Sequence, residues 1–183
     1  MIMKKTVCLG CLFIVSAAFR VAVPYTPVDD GSSVKFKIKN LGIGVDGLFK
    51  GLKGVIVFDA AKPEEAKFDV TIDAATINSG IELRDKHLRK QDYFDVARYP
   101  TIHLVSTKIE TSAAANTFMM YGNLTIKSVT KAVSFSFTTL PQSNGYIFKG
   151  EFKINRRDYF VGGSSITLSD NLSVYLNVFA RKI

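Results

Sequence analysis

The side chains able to do chemistry are few and badly placed for catalysis. His87 and His103 are the only imidazoles in 183 residues, and Cys8 and Cys11 both lie near the start of the chain. No Gly-x-Ser-x-Gly elbow presents a nucleophile, no His-Glu-x-x-His pair offers metal ligands, and no glycine-rich loop opens a helix to cradle phosphate. We therefore expect neither an enzyme nor a metal site nor a resident cofactor. The remaining polar candidates are Arg84, Asp85 and His87 in RDKHL, and Arg156 in NRRDY. Two readings of them stand. At the mouth of an apolar site they would hydrogen-bond a quinone, phenol or phosphate head group. As structural residues, Asp85 would pair with an Arg and His87 would pack under a helix, fixing it as a lid. His103 sits between Ile102 and Leu104 at alternating positions and is expected to face solvent.

These residues are carried by strands. Val34, Phe36 and Ile38 alternate with Lys35, Lys37 and Lys39; Phe68, Val70 and Ile72 alternate with Lys67, Asp69, Thr71 and Asp73; Tyr146, Phe148, Gly150, Phe152 and Ile154 alternate with Ile147, Lys149, Glu151 and Lys153. A period of two gives each strand one buried and one wet face. Less regular strands are read at 47–59, 101–109, 117–127, 131–139 and 171–181, for eight in all. Lys62-Pro63, Pro141 to Gly145 and Ser169-Asp170-Asn171 carry the turn chemistry between them. Many amphipathic strands at this spacing imply a sandwich or a closed antiparallel barrel, and closure removes exposed edges. Residues 81–95, IELRDKHLRKQDYFD, hold good helix formers without Pro or Gly and predict a short helix or two helical turns. It would serve either as a lid on the barrel mouth, with Tyr93 and Phe94 as its apolar end, or as a crossover packed outside.

The first residues read as a secretory signal: Lys4 and Lys5, an apolar run from Val7 to Val15, then Ser16, Ala17 and Ala18. Arg20 ends the run too soon for a membrane span of about 20 apolar residues. Gly10 before Cys11 would suit lipidation, but almost no apolar run precedes it, so cleavage after Ala18 is expected. Residues 19–183 then form one domain without cysteine, carrying 22 basic and 16 acidic side chains. That excess suits an anionic surface or nucleic acid, yet the Lys residues are spread along alternate strand positions, as on a solvated barrel exterior.

The run RDKHLRKQDYFDVARYPTIHLVSTKI, with Thr71 to Asp73 upstream and YGNLTIKSVTKAVSFSF and FKINRRDY downstream, resembles the YceI-like polyisoprenoid-binding family from about Tyr25 to the end. Arg84 to Leu88, Asp92 to Asp95, Tyr99-Pro100 and Gly122 to Thr125 carry the likeness in order. The resemblance implies an eight-stranded antiparallel lipocalin-like β-barrel enclosing a long isoprenoid or quinone-like lipid, usually in the periplasm. Sequestration or transport of that lipid is the function expected from it. As partners we expect the lipid, transient membrane contact and no nucleic acid, in a monomer or homodimer. The chain departs from the family pattern at Gly31-Ser32 and Asn40, where histidines are frequent, at Tyr25 in place of Trp, and at Phe160 in place of Gly. Those departures leave the head group open.

By strand parity the expected cavity residues are Phe36, Ile38, Phe58, Phe68, Ile72, Leu104, Leu124, Phe135, Phe148, Phe152 and Ile154. Each of them could equally be plain core in a barrel filled by its own side chains. Abundant Phe and the absence of Trp favour a slender apolar channel, because Phe adds bulk without a polar atom to satisfy.

Overall fold

A computed structural model describes residues 23–183; the expected signal segment, Cys8 and Cys11 lie outside them. Eight strands follow one another around a single closed antiparallel barrel, each pairing with its sequence neighbours. They are β1 (Val23–Asn40), β2 (Ile43–Phe58), β3 (Lys67–Asn78), β4 (Thr101–Thr111), β5 (Thr117–Ile126), β6 (Val129–Gln142), β7 (Gly145–Asn155) and β8 (Leu168–Lys182). β1 closes the ring on β8, from Tyr25 opposite Lys182 to Asn40 opposite Leu168. The expected all-β, eight-stranded antiparallel barrel is therefore what the chain forms.

The strands are longer than their clean alternation because bulges break it. In β1 the inward set runs Tyr25 and Pro27, then Val34, Phe36 and Ile38, with the change of parity between Val28 and Ser33. Gly31, at φ 74°, makes that bulge possible. Ser32 holds it by accepting from the Phe179 amide (2.8 Å). In β2 the inward set changes from Phe49 to Leu52 and Ile56, where Gly51 has φ 76°. The Asp29 carboxylate accepts from the amides of Gly51 (2.9 Å) and Leu52 (3.0 Å), so the two bulges support each other across strands.

The helix expected over 81–95 is shorter than that. α1 spans Glu82–Leu88, and the chain then runs in turns to Pro100, with Asp95 in the left-handed region. Ser169-Asp170-Asn171, read as a linker, instead lies inside β8. There Asn155 pairs with Asn171, and Arg156 neutralises Asp170.

The barrel has two unlike ends. Its closed end gathers Phe58, Phe68, Phe118, Phe137, Tyr146 and Phe148. The Phe58 ring meets Phe118 (5.2 Å), Phe148 (5.3 Å) and Tyr146 (5.4 Å) edge to face, the geometry that ring quadrupoles prefer. The open end carries the β1–β2 turn, the α1 connection, the β5–β6 turn and the β7–β8 connection.

Candidate apolar cavity

Above the aromatic plug the barrel encloses a cavity of about 400 Å³. Its floor is Phe68, Phe137 and Phe148, shared with the plug. Its walls are aliphatic and aromatic side chains from all eight strands. Of the cavity residues expected from parity, Phe36, Ile38, Phe68, Ile72, Leu104, Leu124, Phe135, Phe148, Phe152 and Ile154 line it. Phe58 does not; it is buried in the plug at the far end, because parity fixes which face a residue takes and not its depth along the barrel axis. Parity also pointed to residues left unnamed. Leu172, Val174, Leu176 and Val178 of β8 line the cavity, as does Met120 of β5, and all sit at clean alternate positions. Phe49, Leu52 and Ile56 of β2 were hidden by the bulge at Gly51.

The α1 connection lies over the mouth, not outside the wall. Arg84, His87, Leu88, Tyr93 and Phe94 all border the cavity, and the Phe94 ring meets Phe49 edge to face at 5.5 Å. The corner before α1 is built on Ser79. Its amide donates to Asp85 Oδ1 (2.8 Å), as does its hydroxyl, while Arg84 donates to Ser79 from Nε (2.7 Å, to Oγ) and Nη2 (2.6 Å, to the carbonyl). Asp85 is thus buried against Ser79 and its amide; it does not pair with an Arg as the structural reading held, because Ser79 stands between the two charges. His87 is exposed rather than packed beneath the helix, and its ring meets Tyr93 edge to face at 4.9 Å. Arg84 Nη1 has no hydrogen-bond partner among the described residues.

Arg156 borders the cavity but is fully occupied. Its side chain is 4% exposed. Nε donates to Ser169 O (3.0 Å), Nη1 to Val161 O (3.0 Å) and Gly163 O (2.9 Å), and Nη2 to Asp170 Oδ1 (2.7 Å) and, at 3.5 Å, Leu168 O. A guanidinium has five N–H donors, and all five are taken. Arg156 therefore clamps the β7–β8 connection to the barrel. Tyr159 is buried in the same turn, its hydroxyl pushed up to about 12 by burial and, secondarily, by the negative charge of Asp158.

Most polar groups that line the cavity stand at the mouth (Asn40, Ser79, Arg84, His87, Ser165 and Thr167), while Lys35 and Lys149 border it from the walls of β1 and β7. Asn40 Oδ1 is buried without a hydrogen-bond partner among the described residues. Gly31, the other position where the family frequently has histidine, is not among the cavity-lining residues; it serves the β1 bulge, against Phe179. Outside the mouth, Asp92, Asp95, Arg98, Lys127, Arg157 and Asp158 bound a separate polar cleft, and His87 and Tyr93 stand between the two spaces. His103, half-exposed on the outer wall, bonds Asp69 across the strand pair at 2.7 Å. Among the described residues no three His, Cys, Asp or Glu side chains converge as cation ligands would.

This arrangement can sequester an apolar chain and present polar groups to whatever emerges at one end. Known proteins share the fold. A solved structure of BcnA from Burkholderia cenocepacia superposes with a TM-score of 0.76 at 25% identity, covering 81% of this chain and 95% of that one. A polyisoprenoid binding domain from Saccharophagus degradans superposes with a TM-score of 0.68 at 14% identity, covering 89% and 100%. In sequence, a UPF0312 protein of Pseudomonas savastanoi is 35% identical over 163 residues, covering 86% of this chain and 80% of its own. The YceI-like domain matches residues 25–180, which hold all the cavity-lining residues named above and nearly the whole of the barrel, and the chain belongs to that family.

Proposed function

We propose that the barrel binds a single long, isoprenoid-like lipid, with its chain in the cavity and its head group at the mouth, and that it carries or sequesters this lipid without chemical turnover. The observation that carries the reading is the make-up of the cavity: mainly apolar walls and an aromatic floor, with most of its polar side chains at one end. Each buried methylene contributes about 0.8 kcal/mol, so one isoprene unit contributes on the order of 3–4 kcal/mol and no further chemistry is needed for retention. The Saccharophagus domain, which shares the fold, supports an isoprenoid as the chain. Arg84, with its unengaged Nη1, and the unpartnered Asn40 oxygen supply a donor and an acceptor for a head group such as a phosphate or phenol. Arg156 and Asp85 shape the mouth and make no bond to ligand. The amino-terminal pattern supports export, cleavage after Ala18 and work in the periplasm by residues 19–183 as one domain.

Gentle purification followed by solvent extraction and mass spectrometry tests this reading. A prenyl lipid at near-stoichiometric yield is expected. A reproducibly empty protein that also takes up no prenyl quinone, alcohol or phosphate would sink it.

A further inference from the structure

A ligand held in such a cavity has to reach it through water or directly from a membrane. The open end of the barrel carries a group of apolar side chains that the fold does not use. Leu41 and Ile43 flank the β1–β2 turn, Ile81 and Leu83 open α1, and Phe160 and Ile166 lie on the β7–β8 connection; all are exposed, Leu41 by 73%, Leu83 by 79%, Phe160 by 70% and Ile166 completely. The segments are tied to one another. The Leu41 amide donates to Thr167 O (2.8 Å), and Lys127 Nζ donates to both Gln91 O (3.1 Å) and Phe160 O (3.0 Å).

Two of these side chains stand where local structure disfavours them. Leu41 and Gly42 have φ of 51° and 77°, the signature of a tight hairpin turn whose first central position favours Asn, Asp or Gly. Phe160 has φ 53°. A bulky residue in the left-handed region is an outlier, and here the strain is spent on holding an apolar side chain out in solvent. Exposed apolar groups clustered at one end mark a contact surface.

The charges say what that surface meets. Leaving aside the buried Arg156 and Asp85, the connections at the open end (41–42, 79–100, 127–128 and 156–167) hold seven basic and four acidic side chains. Those at the closed end (59–66, 112–116 and 143–144) hold one basic and three acidic. An apolar group set in a positive field, around the entrance to an apolar cavity, matches an anionic phospholipid bilayer. Val23 enters β1 opposite Phe58, at the other end.

We propose that the open end docks onto anionic bilayers through Leu41, Ile43, Ile81, Leu83, Phe160 and Ile166, bringing the cavity mouth to the hydrocarbon so that lipid exchanges without crossing water. Its purpose rests on the lipid-binding reading, but docking is measured without added ligand, so the two can fail separately.

The chain lacks Trp, which makes a single inserted Trp a site-specific probe in the full-length protein. Phe160→Trp reports the open end and Leu140→Trp the remote outer wall. With phosphatidylglycerol-containing vesicles, F160W is expected to shift to the blue and to be quenched by brominated lipid, while L140W stays unchanged. Pure phosphatidylcholine or high salt should weaken the F160W response. Adding Leu83→Asp and Ile166→Asp should raise the lipid needed for half-response on the order of tenfold or more, with the far-UV circular dichroism and melting curve unchanged. Three results would overturn docking: no F160W response to vesicles, equal quenching of L140W, or a blue shift that follows protein concentration without vesicles, which would mean that a second copy covers this end.

Discussion

Replacing Arg156 by Met separates a clamp from a ligand contact. The substitution keeps most of the aliphatic stem and removes five donors. Gly163 is exposed and Asp170 is partly so, and both regain water. Val161 O is buried and Ser169 O partly buried; they are left with nothing to replace the guanidinium. Two stranded carbonyls at about 1–3 kcal/mol each, with the loss of a charge-assisted pair, give a destabilisation of about 3–5 kcal/mol. Asp170→Asn is the internal comparison: its amide oxygen still accepts from Nη2, so about 1 kcal/mol is expected. Urea unfolding followed by far-UV circular dichroism measures both, and uptake of a prenyl lipid is measured at zero urea, where the variant stays folded. A cost below about 1 kcal/mol for R156M, together with loss of lipid uptake, would refute the clamp and make Arg156 a head-group residue.

Three further outcomes follow from the same geometry. Phe58→Ala should lose about 3–5 kcal/mol in equilibrium unfolding, as for other buried aromatics, while lipid uptake changes little because the ring borders the plug and not the cavity. Tyr159 is held neutral to about pH 12 in the folded barrel, against about 10 in an unfolded chain. Its contribution is therefore complete below about pH 10 and is lost as pH rises towards 12. Tyr159→Phe should unfold less steeply over that window, and equal slopes for the two proteins would contradict the burial argument. Arg84→Met should reduce affinity for a prenyl phosphate by roughly tenfold relative to the matching alcohol, measured by competition. An equal loss for both would show that Arg84 shapes the mouth without meeting the head group.

Sequence legibility divides along the same lines. Phe36, Phe148 and Phe152 could be placed because their strands keep an unbroken period of two over the stretch that faces the cavity. Phe49 and Leu52 could not, because Gly51 inserts a bulge whose effect on parity depends on the Asp29 carboxylate of another strand. Phe58 obeyed parity yet sits in the plug, since alternation carries no information about height in a barrel. Arg156 and Asp85 were recognisable as polar candidates for the mouth, but most of their partners are carbonyls, a backbone amide and a serine hydroxyl, which leave no pattern of charge pairing to read. The α1 connection was visible as helical sequence; only the contact of Phe94 with Phe49 settles that it covers the mouth.

A barrel that is packed solid at one end and hollow at the other divides stability from binding, and the division can be tested in one experiment. The aromatic plug and the Arg156 clamp support the fold without ligand, so occupancy of the cavity should add stability only by mass action. Ligand at a hundredfold its dissociation constant adds about 2.7 kcal/mol, which for a domain of this size raises Tm by roughly 5–10 °C. Leu124→Trp, on a β5 position lining the cavity, puts an indole into the space the chain would occupy. The variant should melt within a few degrees of the ligand-free protein or above it, since the new side chain fills void instead of displacing packed atoms, and added prenyl lipid should no longer raise its Tm. If lipid raised the Tm of both proteins equally, the lipid would be binding outside the cavity, whatever the cavity's walls are made of.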